Sequence, residues 1–388
     1  MRSNYGKALR NFLQREIRLE EIIDFGELPV FQDAATFPAI LITRKAKADK
    51  QKFLYAPIKR LDFTSLAEEA QEVGSMLNES ALQGENWTLT DEREQSILNK
   101  MRVKAMPLAE YINDAIFRGV VTGFNEAFVI SRDVCERLIT ADPRSAEIIK
   151  PYVVGDDVRK YQLNFQDTYI IFTRRGIDIS QYPQIEKHLF RYKDRLIPRS
   201  SDWKGEWTGR KVGPYQWYEI QDTVVYHEEF TKSKIIYPVI AKEPRFAFDT
   251  KGYFSNDKTF IIPCNDLYLL GLLNSKLSWL YLKRICSVLG DPDKGGRLEL
   301  RDIHVRTVPI HRIDFANLAE KDAHDGIVAL IEQILALHKE RAALDPSQHF
   351  DEIRSLERRI SQVDAEIDRR VYGLYGLTEE EIKIVEGL

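Results

Sequence analysis

Arg118-Gly119-Val120-Val121-Thr122-Gly123-Phe124-Asn125-Glu126-Ala127-Phe128-Val129-Ile130 sets two short β-rich runs, Val120-Val121 and Ala127 to Ile130, on either side of a turn. Gly119, Thr122, Gly123 and Asn125 mark that turn, because glycine tolerates positive φ and lets other groups approach the backbone. The same rhythm continues downstream. Thr168 to Thr173, Val224-Val225-Tyr226, Lys234 to Ile240 and Thr259 to Ile262 read as strands, and Ser180 to Tyr192 and Asp266 to Ile285 as helices. Short strands mixed with helices over residues 106–312 read as an α+β domain with a strongly bent sheet.

The flanks have a different character. Upstream, a helix over 4–15 precedes two strands, Ile22 to Phe25 and Ala39 to Thr43. This is a small α/β piece ending near residue 45, since a doubly wound domain needs more strands than these. Residues 46–105 read as a helical connector, with a strand from Phe53 to Ile58, a helix from Ser65 to Leu77 and another from Asp91 to Arg102. Ser65 caps the first helix and Glu68 completes a capping box. Downstream, over 313–388, Ile327, Leu330, Ile334 and Leu337 recur at 3-4-3 spacing. Ile353, Leu356, Ile360, Val363 and Ile367 recur at 3-4-3-4 spacing beyond a break at Asp345-Pro346-Ser347. That is a helical hairpin with coiled-coil-like seams, closed by a short helix from Glu379 to Glu386.

The 388 residues are 44% hydrophobic and 30% charged, the balance of an ordinary globular chain. Met1 to Lys7 lead into an amphipathic helix, unlike a signal peptide. The longest apolar stretch, Leu267 to Leu282, is interrupted by Asn274, Ser275 and Lys276 and is too short and polar to span a membrane. Three dispersed cysteines imply a reducing, cytoplasmic setting and no structural zinc. The net charge of −4 is unevenly spread. Residues 62–94 carry nine acids against one base and residues 314–388 seventeen against nine, leaving +12 on the rest. A basic body flanked by acidic helices is compatible with a nucleic-acid face.

No Walker loop, G-x-S-x-G or H-E-x-x-H string occurs. The one E-x-K, Glu381-Ile382-Lys383, lies on the amphipathic terminal helix with no strand before it, which speaks against a nuclease site.

Two sets of segments carry a family resemblance. Tyr5 to Arg10, Ile22 to Gly26, Val30-Phe31-Gln32-Asp33-Ala34-Ala35-Thr36 and Ile40 to Ile42 resemble the late strands of a TaqI-type adenine-specific DNA methyltransferase domain. Arg118 to Ile130, Gly155 to Tyr161, Trp217-Tyr218-Glu219, Lys234 to Pro238, Phe260 to Pro263, Leu269 to Lys276 and Gly295-Gly296-Arg297 resemble, in order, the TaqI-like C-terminal specificity domain of type IIG restriction-modification enzymes. Tyr372 to Ile382 resembles the usual end of such chains.

The resemblance implies a sequence-specific recognition module for double-stranded DNA, with 1–45 a remnant of the methyltransferase domain. In the complete family enzyme S-adenosylmethionine donates a methyl group to adenine, and type IIG members also cut DNA with magnesium. This chain departs from the pattern: it has no Gly-rich cofactor loop and no Asn-Pro-Pro-Tyr-type turn. It is expected to hold no cofactor, to carry no catalytic residue and to be inactive alone. Phe31 matches the residue that stacks on a flipped adenine in the complete enzyme; otherwise it reads as a core Phe between strands. A methyltransferase or nuclease polypeptide is a candidate partner, completing the sheet as the other half of a split enzyme. The acidic C-terminal helices offer a third reading, a protein-interaction module.

Candidate DNA contacts follow from residue type. Thr122 and Asn125 can bond phosphate or base edges. Arg159, Lys160, Arg174 and Arg175 place cations beside an aromatic or a turn; solvated surface charge is the alternative. Residues 200–218 are richest, with Lys204, Arg210 and Lys211 among Trp203, Trp207, Tyr215, Trp217 and Tyr218 on a glycine-punctuated loop. Trp217 reads as the core member of that set. Lys234, Arg245, Lys294 and Arg297 are lesser candidates.

Overall fold

The computed structural model describes residues 7–26, 28–31, 38–46, 52–78, 82, 87, 89, 92–289 and 296–388. It is a mixed helix-and-sheet architecture of several small sheets with long C-terminal helices.

Helix α1 (Lys7–Glu16) leads into strands β1 (Arg18–Asp24), β2 (Ala39–Arg44) and β3 (Lys52–Pro57), helix α2 (Leu66–Val73) and strand β4 (Ser75–Asn78). The four strands form one sheet in the order β2-β1-β3-β4, parallel only between β1 and β3. Alternation along β1 sends Ile22 to one face and Ile23 to the other. Ile22 joins Leu13 of α1, Phe53 and Leu77; Ile23 joins Phe25, Ala56, Ile58 and Ala70 of α2. The sheet therefore runs through residue 45, where a boundary was expected. The expected helix to Leu77 stops at Val73. Ser65 does cap it, 3.4 Å from the Glu68 amide, but Met76 and Leu77 pair with Leu54 and Phe53 instead. Gly74 fits the corner because a Cβ there would meet the Ala70 carbonyl at 2.4 Å. Strand β2 is an edge, with Ile40 and Ile42 each 41% exposed.

Helix α3 (Glu92–Arg102) and strand β5 (Ala105–Pro107) lead to the middle region. It contains α4 (Leu108–Tyr111), β6 (Phe117–Arg118), α5 (Asn125–Phe128), β7 (Val129–Ser131), α6 (Arg132–Ala141), β8 (Ile149–Val153), β9 (Thr168–Ile171), α7 (Pro183–Phe190) and α8 (Lys193–Leu196). Then come β10 (Lys234–Pro238), β11 (Ile240–Ala241), β12 (Ala247–Asp249), β13 (Phe254–Ser255), β14 (Thr259–Pro263), α9 (Leu267–Asn274), α10 (Lys276–Ile285), β15 (Ser287–Leu289), β16 (Arg297–Glu299), α11 (Asp302–Val305) and β17 (Pro309–His311). The central antiparallel sheet, β12-β10-β14-β6, is covered on both faces. Ile235, Tyr237 and Ile262 face a core built with α9 and α10; Ile236 and Ile261 face one shared with the β13-β8-β9-β7 sheet and α7. β17 pairs with β5, so the start and end of the region lie side by side.

Four expected elements differ. Val120-Val121 is no strand, Val120 making only an isolated bridge to Asn256. Ala127 and Phe128 are helical, both fully buried, so their apolarity reflects burial and not strand alternation. Val224 has φ +39, outside the strand region, so Val224 to Tyr226 turn. The expected helix from Asp266 to Ile285 breaks at Ser275, whose hydroxyl caps α10 through the Ser278 amide at 3.1 Å.

The hairpin is α12 (Leu318–Ala342) and α13 (Phe350–Leu374), followed by α14 (Glu379–Glu386). Ile327, Ile331, Ile334, Leu337, Leu356, Val363, Ile367 and Val371 are buried in the same core as α9, α10 and the outer face of the central sheet. Thus the apolar seams are used inside the molecule. Glu381 accepts from the Thr378 amide and pairs with Lys100 at 2.6 Å, a capping and bridging role. Among the described residues no helix is long and apolar enough to cross a membrane.

Candidate nucleic-acid interface

Residues 197–224 form neither strand nor helix apart from isolated bridging at Pro198 and Arg210. Such backbone needs other partners for its buried carbonyls. Arg210 supplies them. It is 3% exposed, and all five guanidinium N–H groups have backbone acceptors. Nε donates to Leu196 at 2.9 Å, Nη1 to Thr122 at 3.0 Å and Glu219 at 2.6 Å, and Nη2 to Gln216 at 3.2 Å and Trp217 at 2.8 Å. Burial lowers its pKa to about 10, so it stays charged at neutral pH. The Tyr215 ring lies against two guanidinium groups, 4.5 Å from Arg210 and 5.0 Å from Arg175. Arg175 also donates to the Pro214 and Gln221 carbonyls, at 2.9 and 2.7 Å. Glu219 accepts from the Gly176 and Gln216 amides at 2.6 and 2.8 Å.

This node draws three surface segments together. The first is the turn at 122–125. The Thr122 hydroxyl bonds Asn125 Oδ1 at 2.6 Å, and Gly123 has φ +82 with Arg210 and Gln221 within 3.0 Å of where a Cβ would lie. The second is the end of α7 and α8. Exposed Phe190 meets Trp217 edge-on at 6.0 Å, with Lys193 Nζ 5.1 Å from one ring and 5.4 Å from the other. Arg195 lies 4.8 Å over Phe124 and donates to the Thr208 carbonyl at 3.0 Å. The third is the loop 199–209, closed at its neck by Arg199 N to Arg210 O at 3.0 Å and Arg210 N to Ile197 O at 3.2 Å. Trp203 and Trp207 pack edge-on at 4.8 Å, each indole N–H is bonded to a backbone carbonyl, and Trp203 remains 46% exposed. Asp202, Lys204 and Glu206 alternate at its tip, all exposed.

The expected contacts divide sharply. Asn125, Arg174, Lys204 and Lys211 are exposed on this face, and Tyr218 is half-buried beside Trp217. Arg210, Thr122 and Tyr215 belong to the node beneath it and are buried, so they are corrected from contacts to supports. Arg175 is engaged in the same node. Lys234 is corrected more strongly: it is fully buried against Asp249 and the Phe230 carbonyl. Burial lowers its pKa, opposed by Asp249.

Four candidates have no hydrogen bond or ion pair to the Arg210 node among the described residues. Lys160 pairs with Asp364 of α13 at 2.7 Å, Arg159 bonds the Asp156 and Val158 carbonyls, and Arg245 bonds Glu243 at 3.1 Å. Arg297 is exposed at the start of β16, and Lys294 lies outside the described residues. Phe31 is 59% exposed, not a core residue between strands. Trp217 is half-buried and packs on the core. Sequence reasoning passed over Phe124, Phe190, Lys193 and Arg195. The signal was present in Phe190-Arg191-Tyr192-Lys193-Asp194-Arg195, where cations alternate with aromatics at a helix end. Among the described residues no cluster of three or more His, Cys, Asp or Glu could hold a metal ion.

Residues 150–310 match the model of the TaqI-like C-terminal specificity domain. The chain is 23% identical over 418 aligned residues to the type II restriction enzyme and methyltransferase RM.Eco57I of Escherichia coli, covering 99% of this chain and 40% of that one. It is 27% identical over 171 residues to the type II methyltransferase M.MjaIV of Methanocaldococcus jannaschii, covering 40% of this chain and 53% of that one. The chain thus spans between two fifths and about half of these relatives. In fold it is similar to the type IIL restriction-modification enzyme MmeI, solved in complex with DNA, at a TM-score of 0.50 and 13% identity, covering 98% of this chain and 48% of that one. Residues 150–310 are therefore a TaqI-like C-terminal specificity domain, in a chain whose relatives are type II restriction-modification enzymes and methyltransferases.

Proposed function

We propose that the chain is the double-stranded-DNA recognition module of a restriction-modification adenine methyltransferase, and that it reads the duplex with the face formed by 122–125, 174, 190–195 and 199–211. One observation carries this reading: exposed cations and aromatics crowd onto irregular loops that a buried guanidinium ties to one another and to the end of α8. Function-bearing loops on a rigid scaffold are the usual arrangement for recognition. Arg174, Lys193, Arg195, Arg199 and Lys211 suit phosphates and set register. The Trp203-Lys204 tip suits a groove, where a lysine donates to guanine O6 and N7 and an acid such as Asp202 or Glu206 accepts from the cytosine amine.

S-adenosylmethionine supplies the methyl group in the complete enzyme. Among the described residues of the small sheet, Gly74 is a packing corner and Gly26 has no atom within 4 Å of an added Cβ, so neither belongs to a cradle around that cofactor. No methyl-transfer step is therefore assigned to this chain, and with labelled cofactor it should transfer no methyl group to duplex DNA. Turnover would overturn the assignment. In a complete enzyme, exposed Phe31 is available to stack on a flipped adenine.

The direct test is binding of the purified chain to mixed duplex DNA at low and moderate salt. The expected result is salt-sensitive binding that sharpens on selected sequences. Absence of binding at low salt sinks the reading.

A second reading, a subunit completed by a separate methyltransferase chain, is favoured by the edge strand β2. Ile40 and Ile42 are exposed there, and Leu9 and Phe12 of α1 are 50% and 54% exposed. An open apolar edge of this kind needs cover. Co-expression with a chain carrying the cofactor loop should yield a stable complex that Ile40→Lys with Ile42→Lys abolishes; a complex indifferent to both changes rejects this edge as the seat.

A further inference from the structure

Arg210 reads from sequence as a phosphate contact, yet no other described cation is committed so fully to backbone. Its five acceptors come from three separate stretches, at 122, at 196 and at 216–219. None of the five is a carboxylate. The charge is instead set among carbonyl dipoles and over the Tyr215 ring, with the Glu219 carboxylate turned to the amides of Gly176 and Gln216. A buried charge without a bonded anion is costly, and a fold retains it where its geometry is needed. A planar fork of five donors can hold five carbonyls at fixed mutual spacing; an ammonium, with three donors at one point, cannot.

We propose that Arg210 is the positioning residue of the reading face: its guanidinium sets the spacing of the 122–125 turn, the end of α8 and the 211–218 segment, and so decides which exposed side chains meet the duplex together. The proposal rests on the DNA-reading assignment above and deepens it. Affinity for any duplex comes from the exposed cations, which Arg210 does not touch. Discrimination between sequences comes from the relative placement of Asn125, Lys204 and their neighbours, which it governs. The two quantities therefore separate on substitution.

The test uses the full chain and its Arg210→Lys and Arg175→Ala variants. Each is measured against a duplex selected by the wild type from a randomised pool, a scrambled duplex of the same composition, and by amide hydrogen exchange. For Arg210→Lys, affinity for the scrambled duplex should stay within about threefold, the ratio between selected and scrambled should fall at least about tenfold, and exchange should quicken jointly in 119–125 and 214–221. Arg175→Ala, whose side chain is less buried, should shift the ratio the same way by a smaller factor and serves if Arg210→Lys fails to fold. An unchanged ratio with unchanged exchange in a folded variant overturns the positioning role while leaving the DNA-reading assignment standing. A randomised pool from which the wild type selects no duplex, with no binding to the scrambled duplex either, overturns the DNA-reading assignment itself, a result distinct from an unchanged ratio in a wild type that does bind.

Discussion

Lys204 and Lys211 show how far residue-level reasoning reaches. Both are exposed on the face and neither has a described partner among the ion pairs. If each neutralises a phosphate, Lys204→Ala with Lys211→Ala should weaken duplex binding and lower the slope of log affinity against log salt by about one to two units. An unchanged slope removes the loop from the interface. Asp368 makes a different point. Its carboxyl is buried on α13, with Oδ1 on the Lys276 amide, Lys276 Nζ 3.9 Å from Oδ2, and Lys160 and Asp364 nearby. Burial is the largest influence and raises its pKa to about 6. The folded chain therefore holds that proton more tightly than the unfolded chain. Stability falls as pH rises from the ordinary carboxylate range through about 6, then levels. Asp368→Asn should raise stability at pH 7 by about 1–3 kcal/mol and lose that advantage as pH drops below the ordinary carboxylate range, read by denaturant unfolding across pH. A variant weaker than wild type at pH 7 refutes this. The burial of Arg210 and Lys234 was not legible in the sequence. Arg210 follows Gly209 and precedes Lys211, which is the local pattern of a surface loop; only the return of 122 and 216–219 around it makes it interior.

At the level of elements, periodicity was a good guide where helices pack on one face. Leu356, Val363 and Ile367 of α13 are buried as their spacing required. It misled where a segment is buried on every side, as at Ala127-Phe128, or where one capping serine divides an apolar run, as at Ser275. Helix α9 illustrates the tight packing that follows. A Cβ on Gly271 would lie 2.9 Å from Ile327 Cγ2 and 3.3 Å from Ile331 Cγ1. Gly271→Ala should therefore cost about 1–3 kcal/mol through overpacking despite the better helix propensity of alanine. Ile327→Ala, which deletes the clashing Cγ2, should cost less in the Gly271→Ala background than in the wild type in thermal unfolding, whereas strictly additive losses would place the strain elsewhere.

For the whole molecule, the C-terminal helices are structural members of the same core as the central sheet. Nine buried side chains of α12 and α13 belong to the core that also holds Ile235, Tyr237 and Ile262. At about 1.5–3 kcal/mol each, their burial exceeds the roughly 5–15 kcal/mol net stability of a typical fold. Removal of 313–388 should leave no cooperative unfolding transition; a truncated chain that melts cooperatively would show that the hairpin is dispensable. The acidic surface of the hairpin then has a simple consequence for the reading above, since its charge steers a duplex toward the basic face and away from the far side. The pairing of β5 with β17 carries a last one. The polypeptide enters and leaves residues 108–308 through a single two-stranded gate, with Pro107 opposite Pro309 and Ala105 opposite His311. A recombination event that crosses over at those two strands exchanges one continuous stretch of chain between two genes, and the incoming stretch must still fit the α12 and α13 side chains that complete its core, so on the DNA-reading proposal a new target is acquired by transplantation only where that packing is kept.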